Sequence, residues 1–265
     1  HGPILLSYSG GLMDRRKKVL ITGAAGLVGG ILRDALADRY DLSTLDVWPM
    51  RGDHLQASMT DLEATQPAFE GKAIVIDLAS HAPADTPWEK VHENNIVSTR
   101  NALEAARIAG VGRLIFASSN HVTGMYENDP PYSSIVAGQY EGLHPSETTL
   151  ITTTMPIRPD GAYGIAKAFG EAAGRYYSDE YGISVVCLRI GTLNGSSRPE
   201  GLRNFATLLT HRDAVQLVER CIEAPTGLSF GIFYGVSNNT WRFWDIDDSR
   251  KAIRYQPEDD AEQWR

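Results

Sequence analysis

Three glycines follow the first apolar run of the chain, and their spacing constrains the fold more than any other feature of the sequence. Val19-Leu20-Ile21 predicts a strand, and the segment from Leu27 to Leu36 places its apolar residues on one face of a helix. Gly23, Gly26 and Gly29 lie at the junction and permit a tight turn with a close approach of the backbone to a ligand. Together with the positive end of the helix dipole, this turn predicts a binding site for the pyrophosphate of a dinucleotide.

Short β-branched runs alternate with longer amphipathic stretches through the rest of the chain. The alternation predicts an α/β fold of the Rossmann type, a doubly wound parallel sheet with helices on both faces. The later predicted strands are 42–45, 73–78, 113–118, 183–190 and about 230–236, and the later helices are 88–109, 162–181, about 213–222 and about 247–254. A loop-rich stretch is predicted over 126–160.

An acidic residue and a short segment complete the predicted cofactor site. Asp46 ends the second strand about 20 residues after the glycines, where a carboxylate accepts hydrogen bonds from an adenosine ribose and repels a 2′-phosphate. This favours NAD over NADP, although a carboxylate that merely ends a strand is an alternative, and Arg51 leaves some tolerance for NADP. The backbone of Leu78-Ala79-Ser80 is expected to approach the cofactor riboses, with turn packing as the alternative. Leu27 and Val28, which begin the first helix, are also expected to contact the cofactor.

We expect residues 13–265 to form a single dinucleotide-binding domain with a small C-terminal substrate-binding extension. Neither a linker-like run nor an internal repeat interrupts this part of the chain. The substrate-binding parts are predicted at about 125–160 and 191–265. Residues 1–12 precede Met13 and lack the basic start and long apolar core of a signal peptide, so we interpret them as an added remnant before the natural start.

Tyr163 and Lys167 stand four residues apart on a predicted helix and therefore share one face. A free tyrosine has a pKa of about 10 and is a poor base at neutral pH. An adjacent ammonium favours the phenolate and lowers the pKa, which makes the pair a usable general base. The hydroxyl-rich strand end Ser118-Ser119-Asn120-His121 precedes the pair, and the glycine turn precedes both. This position along the chain distinguishes the pair from a chance spacing.

The glycine turn, the serine-rich strand end and the Tyr–Lys pair, in this order, resemble the extended short-chain dehydrogenase/reductase family, a group that includes NAD-dependent epimerases and dehydratases. The resemblance extends over 13–265 and implies an NAD-dependent oxidoreductase. It implies that Tyr163 is the base, that Lys167 is its helper and a cofactor ligand, and that Ser119 supplies the catalytic hydroxyl. It further implies cofactor contacts for Asp61, Leu62, Asn95 and Ile190. For Asn95, a buried polar side chain that caps a neighbour is the alternative.

Further segments resemble a small branch of this family that oxidises free sugars at the anomeric carbon, the uronate dehydrogenases and the archaeal NAD-dependent glucose-6-phosphate dehydrogenases. They are Ser118–His121, Arg189-Ile190-Gly191 and the tail 234–240. The resemblance implies that Thr192 and Arg203 bind substrate. Ala79-Ser80-His81-Ala82 departs from the Gly-Gly-Ile/Val-Ser of the uronate enzymes, and the loop before Tyr163 is longer than theirs. These departures weigh against specificity for uronates, but they do not affect the expectation that the enzyme oxidises a sugar at the anomeric carbon.

The expected reaction is oxidation of the C1 hydroxyl of an aldose, glucose 6-phosphate or a hexuronate, to the aldonolactone. Ser119 and Asn120 would hydrogen-bond the sugar oxygens. Arg203, with Thr192 and His121, would engage the distal carboxylate or phosphate, which suits the forked N–H donors of a guanidinium. A phosphosugar offers further candidates in Arg198, His211 and Arg212. The alternatives are a solvated surface charge for Arg203 and a packed loop histidine for His121.

Two other functions stay open at this point. A nucleotide-sugar epimerase or dehydratase needs a larger C-terminal region than the about 75 residues that follow Ile190. A non-catalytic dinucleotide-binding regulatory protein on the same fold would usually lack the tyrosine or the lysine, and both are present here. Binding of NAD without turnover of any sugar would favour this second alternative.

Composition weighs against several other classes of protein. The net charge is −8, from 33 acidic and 25 basic residues without a clustered basic face, so no nucleic-acid partner is expected. Since no apolar run approaches ~18 residues, no membrane segment is expected, and we expect a cytoplasmic protein. The seven histidines lack metal-ligand spacing, so no metal is predicted, and Cys187 and Cys221 are expected to be buried thiols. The helices over 88–109 and 162–181 carry apolar faces that are available to pair with another subunit, and the family resemblance implies a homo-oligomer that acts on a small-molecule substrate.

Overall fold

A parallel sheet forms the centre of the computed structural model, which describes residues 16–82 and 85–265. Its strands are β1 (Lys18–Thr22), β2 (Asp41–Asp46), β3 (His54–Gln56), β4 (Ile74–Asp77), β5 (Arg113–Ser119), β6 (Ser184–Ile190) and β7 (Phe230–Gly235). Their order across the sheet is β3-β2-β1-β4-β5-β6-β7, and every neighbouring pair is parallel. The predicted doubly wound α/β fold of the Rossmann type is confirmed. The predicted remnant at 1–12 lies outside the described residues.

Helices connect these strands in most of the crossovers. The α-helices of the described part are α1 (Leu27–Leu36), α2 (Leu62–Phe69), α3 (Trp88–Val91), α4 (Ser98–Ala109), α5 (Tyr132–Val136), α6 (Ala162–Tyr181), α7 (Asn204–Thr207), α8 (His211–Ile222) and α9 (Asp247–Ile253). A π-helical stretch, His92–Val97, joins α3 to α4, and 3-10 segments cover Asn120–Asn128, Pro145–Glu147 and Ala261–Trp264. Over the described ranges, no helix has both the length and the apolar character needed to cross a bilayer.

The structure agrees with most of the predicted elements and adds several short ones. α1 and α6 have the predicted bounds, and the other predicted strands and helices shift by one or two residues at an end. The helix predicted over 88–109 is present, but its middle is π-helical. β3, α2, α5 and α7 were not predicted, because three to eight residues carry too little periodicity. α2 also contains Pro67, which ordinarily indicates a break.

Helices cover both faces of the sheet, which explains why its central strands are apolar throughout. Val19 and Ile21 of β1 belong to the apolar cluster under α1, α8 and α9, whereas Leu20 belongs to the cluster under α2, α4 and α6. Strands buried on both faces are expected to be continuous apolar runs. The core therefore consists of two layers, one on each side of the sheet.

A third apolar cluster lies beyond the carboxyl ends of β5 and β6. It joins side chains from 126–155 with side chains from 206–246, including Ile151 and Trp244, whose backbones form a parallel bridge. A second bridge links Thr192 to Leu208. The two segments predicted to hold the substrate thus pack against each other at the edge of the sheet where the strands end.

Candidate active site

The carboxyl ends of the central strands open into one cleft of about 810 Å³. It lies where the strand order reverses between β1 and β4, the position at which doubly wound sheets bind ligands. Five segments and three single side chains line it: Gly23–Gly29 except Ala24, Leu45–Trp48, Leu78–Ala82, Ala117–His121, Ile190–Leu193, Tyr163, Lys167 and Arg203. Ala57–Met59, Asn94 and Ser98 complete the described lining.

The glycine turn brings backbone close to one end of the cleft. Gly23 has a φ of +63°, and a Cβ added there would lie 2.8 Å from the backbone N of Ala79 and from the carbonyl carbon of Leu78. Only glycine combines this conformation with this close approach of β1 to the loop after β4. No side chain caps the start of α1, so its first N–H groups stay available at the cleft. These features fit the pyrophosphate of a dinucleotide.

Asp46, at the end of β2, is fixed beside this turn. Its Oδ2 accepts a hydrogen bond of 2.9 Å from the backbone N of Ala25, and its Oδ1 accepts one of 3.0 Å from the backbone N of Trp48. A carboxylate has about four lone-pair sites, so both oxygens can still accept hydrogen bonds from a ribose. The geometry thus fits the adenosine end of a dinucleotide.

Three predicted cofactor contacts do not line the cleft. Asp61 accepts a hydrogen bond of 3.0 Å from the backbone N of Ala64 and so caps α2, which begins at Leu62. Asn95 is buried in the π-helical stretch, where its amide bonds the backbone N and O of His81 at 2.7 and 3.0 Å. Asn95 therefore acts on the cleft indirectly, because it holds the loop after β4 in place. Asn94 and Ser98, which were not predicted, line the cleft instead.

Tyr163 and Lys167 face the cleft from the first turns of α6. The Lys167 Nζ lies 5.5 Å from the centroid of the Tyr163 ring and donates a hydrogen bond of 2.7 Å to the carbonyl of Ala117. Both side chains are buried apart from the surface they present to the cleft. Gly164 allows α6 to come this close, because a Cβ there would lie 2.3 Å from the carbonyl oxygen of His121. The ammonium and the phenol ring thus lie side by side in the cleft.

Ser119, Asn120 and His121 follow one another at the end of β5 and all line the cleft. The Ser119 hydroxyl oxygen accepts a hydrogen bond of 3.2 Å from the backbone N of His121, which leaves the hydroxyl proton for another partner. The His121 ring meets the Tyr163 ring edge-on at 5.7 Å between centroids. Its Nδ1 lies 2.7 Å from Oδ2 of Asp160, an acidic partner that the sequence did not reveal.

Arg203 lies at the opposite end of the cleft, and protein groups engage all five of its N–H donors. Nε and Nη2 form a bidentate ion pair with Glu127, each at 2.6 Å. Nη2 also donates to Oδ1 of Asn120 at 3.0 Å, and Nη1 donates to the hydroxyls of Thr192 at 2.9 Å and Thr207 at 3.4 Å. The prediction that Arg203 presents a free fork of donors to a carboxylate or phosphate is therefore not supported by this geometry.

The other basic side chains considered for a phosphate do not line the cleft. Arg212 forms ion pairs with Glu258 and Asp259. The Nε2 of His211 lies 2.8 Å from the carbonyl oxygen of Asn194, and Arg198 is exposed. Within 16–82 and 85–265, no cluster of three His, Cys, Asp or Glu side chains could hold a metal ion.

A network of buried polar side chains connects the helix and the strands that carry the cleft residues. Glu171, one turn after Lys167 on α6, forms a bidentate ion pair with Arg189 of β6 at 2.9 and 2.8 Å. Glu171 also accepts a hydrogen bond of 2.7 Å from Ser118, and Arg189 donates to the Tyr234 hydroxyl at 3.2 Å. Burial by itself lowers the pKa of the Arg189 guanidinium, but Glu171 more than offsets this and raises the pKa. The network fixes α6 against β5, β6 and β7.

Asp77, at the end of β4, is a further buried acid near the cleft. Burial raises the pKa of its carboxyl group from 3.8 to about 6, although the hydrogen bond from Thr22 and the charge of Lys167 oppose the change. The Thr22 hydroxyl donates to Asp77 at 2.6 Å and accepts from the backbone N of Leu78 at 3.2 Å. This arrangement connects β1 to the loop after β4.

A tyrosine and a lysine on one helix, a serine at the neighbouring strand end and a glycine turn across the same cleft define an oxidoreductase of the short-chain dehydrogenase/reductase class. The sequence pattern of the NAD dependent epimerase/dehydratase family matches residues 19–255. The chain belongs to this family, and the resemblance predicted from the sequence is confirmed.

Individual relatives match over most of the chain. It is 37% identical to the NAD-dependent glucose-6-phosphate dehydrogenase of Haloferax volcanii, over 92% of this chain and 94% of that protein. It is 34% identical to the L-arabinose 1-dehydrogenase (NAD(P)(+)) of the same organism, over 92% and 97%. Among solved structures, uronate dehydrogenase from Agrobacterium tumefaciens has a TM-score of 0.79 at 30% identity, over 94% of this chain and 86% of that one.

Proposed function

We propose that this protein oxidises the C1 hydroxyl of an aldose to the aldonolactone, with NAD as the oxidant. The observation that carries the proposal is the presence of Tyr163, Lys167 and Ser119 in the same cleft as the glycine turn. A sugar hydroxyl that enters this cleft meets a proton acceptor, a cation that favours the ionised acceptor, and a hydroxyl donor.

Tyr163 is the proposed base. Its phenolate takes the proton of the C1 hydroxyl as the C1–H bond breaks and the C1 carbonyl forms. The Lys167 ammonium lies 5.5 Å from the Tyr163 ring centroid and is the cation beside the proposed base. The Ser119 hydroxyl donates a hydrogen bond to the same sugar oxygen and holds it beside the base. Because the ring oxygen stays bonded to C1, the product is a lactone, which hydrolysis then opens.

The residues that would hold NAD are the glycine turn of 23–29, Asp46 and the loop 78–80. The close approach of Gly23 to Leu78 and Ala79 supports this placement, since it brings the turn and the loop together beside the uncapped start of α1. When bound, NAD accepts the hydride from C1. We place the sugar between the 3-10 segment Asn120–Asn128 and the segment 191–203, which packs beside it.

The names of the relatives support a sugar as the substrate. They specify glucose 6-phosphate, L-arabinose and uronate, and one of them specifies carbon 1. These substrates differ in charge, so the class of sugar has to be inferred from the side chains of this cleft.

The proposal is tested by the formation of NADH with a panel of aldoses, uronates and sugar phosphates. Tyr163→Phe should lower kcat by roughly 10²–10⁴-fold, since it removes the proton acceptor, while NAD affinity measured by fluorescence changes little. Tyr181→Phe is the matched control, because it makes the same chemical change at the other end of α6, where the side chain is exposed. Full activity of Tyr163→Phe would contradict the proposal. NAD binding without turnover of any sugar would favour a regulatory protein.

A further inference from the structure

We infer that the substrate is a neutral aldose and that Glu127 excludes sugars that carry a carboxylate or a phosphate. This inference rests on the proposed function and specifies the class of sugar that the enzyme oxidises. The argument depends on the charges at the end of the cleft that lies beyond Tyr163 and Ser119.

Arg203 is the strongest candidate for binding an anion in this cleft, and it has no donor left for one. Two of its N–H groups bond Glu127, one bonds Asn120, and two bond the hydroxyls of Thr192 and Thr207. A guanidinium has five N–H donors, so the protein satisfies its full capacity. The positive charge of Arg203 is balanced by the carboxylate of Glu127, both of whose oxygens accept hydrogen bonds from the guanidinium.

An anionic sugar would have to displace Glu127 to reach Arg203. Glu127 lies near the end of the 3-10 segment that begins directly after β5, and only 14% of its side chain is exposed. If the ion pair opened, this largely buried carboxylate would lose its partner, which is strongly unfavourable. The carboxylate would also stay close to the incoming negative charge and repel it.

The other basic side chains of the described lining do not supply the missing charge. His121 is paired with Asp160 at 2.7 Å. Lys167 donates a hydrogen bond to the carbonyl of Ala117 and lies beside Tyr163, away from the distal end of the sugar as we place it. His81 is exposed on the loop after β4, and an imidazole lacks the fork of donors that suits a carboxylate or phosphate.

The groups that remain at this end suit hydroxyls. Ser119 offers a hydroxyl proton, Asn120 keeps one amide N–H after it donates to the carbonyl of Ile190 at 2.8 Å, and the Thr192 hydroxyl lines the cleft. In this arrangement Arg203 is a positioning residue, because it donates hydrogen bonds to the Thr192 hydroxyl and to the amide oxygen of Asn120. The structure therefore presents a neutral polar surface to the distal end of the sugar.

The first test uses the wild-type enzyme with pairs of sugars that differ only at C6. These are galactose and galacturonate, glucose and glucuronate, and glucose and glucose 6-phosphate. We expect kcat/KM for the neutral member to exceed that for the anionic member by roughly tenfold or more in each pair, as like-charge repulsion implies. A preference for either anionic class overturns the inference but leaves the proposed function intact. Absence of NADH formation with every sugar overturns both.

The second test changes the ion pair. Glu127→Gln removes the charge and keeps the shape, so it should raise the ratio of kcat/KM for the anionic over the neutral sugar by roughly tenfold or more. Glu147→Gln is the matched control, because it removes an exposed charge from the same connection between β5 and α6 and should leave the ratio unchanged. An unchanged ratio in Glu127→Gln overturns the role of Glu127. Should this variant fail to fold, the wild-type comparison still decides the class of sugar.

Discussion

The buried ion pair between Glu171 and Arg189 allows a quantitative prediction about the stability of the site. Glu171→Leu leaves Arg189, of which 1% of the side chain is exposed, without its carboxylate partner. Removing one member of a buried pair costs about 3–5 kcal/mol, because the remaining charge is buried and uncompensated. The Ser118 hydroxyl also loses its acceptor. For a chain of this size, the expected fall in Tm is on the order of 10 °C.

Chemical unfolding followed by circular dichroism measures the change in the free energy of unfolding. A double variant, Glu171→Leu with Arg189→Met, should recover most of the loss, since apolar side chains of similar volume can replace a buried pair at little cost. Asp179→Ala is the control on the same helix. It breaks an exposed pair with Arg175 and should cost less than about 1 kcal/mol.

Two results would refute this reasoning. One is a loss below about 1 kcal/mol in Glu171→Leu, which would mean that Arg189 finds water or another partner. The other is a double variant as unstable as the sum of the two single variants, because a coupling energy of zero would mean that Glu171 and Arg189 do not stabilise each other.

Two further predictions concern acidic residues at the cleft. Folding raises the pKa of Asp77 from 3.8 to about 6, so its ionisation destabilises the folded state above about pH 6 and has no effect below about pH 4. Asp77→Asn should therefore raise the free energy of unfolding by up to about 3 kcal/mol above pH 7 and leave it unchanged below about pH 4. Urea titrations at both pH values measure the free energy of unfolding, and an equal change at both would contradict the prediction. Because of Asp46, kcat/KM for NAD should exceed kcat/KM for NADP by roughly tenfold or more in the wild-type enzyme. Asp46→Ser should lower this ratio of the two kcat/KM values. A wild-type preference for NADP would contradict the assignment of Asp46 to the adenosine ribose.

Much of the fold could be predicted because its long elements carry strong periodic patterns. α1 and α6 have apolar faces that extend over 10 and 20 residues, and both have the predicted bounds. β3 has only three residues, and the π-helical stretch His92–Val97 follows α3 and continues into α4 without a break. Neither feature leaves a pattern that a sequence alone can distinguish.

The residues of the candidate site likewise divide into those that belong to a sequence motif and those that do not. Motif spacing led to Tyr163 and Lys167, and the structure places both in the cleft with the glycine turn. Glu127 and Asp160 were missed, because each is an isolated acidic residue in an irregular region. Their partners lie 76 and 39 residues away in the chain, so only the folded structure brings the charges together.

Most of the cleft lining comes from two stretches of sequence, one that ends with the loop after β4 and one that begins at the end of β5. The surface suited to the nucleotide comes largely from residues before about 82, and the surface at which we propose that the sugar binds comes largely from residues after about 117. Substitutions in the later stretch can therefore change which sugar is accepted while the earlier stretch keeps its shape. This separation allows a few local substitutions to change the sugar preference of such a fold. A chimera that exchanges residues beyond 117 with those of a relative should have that relative's sugar preference.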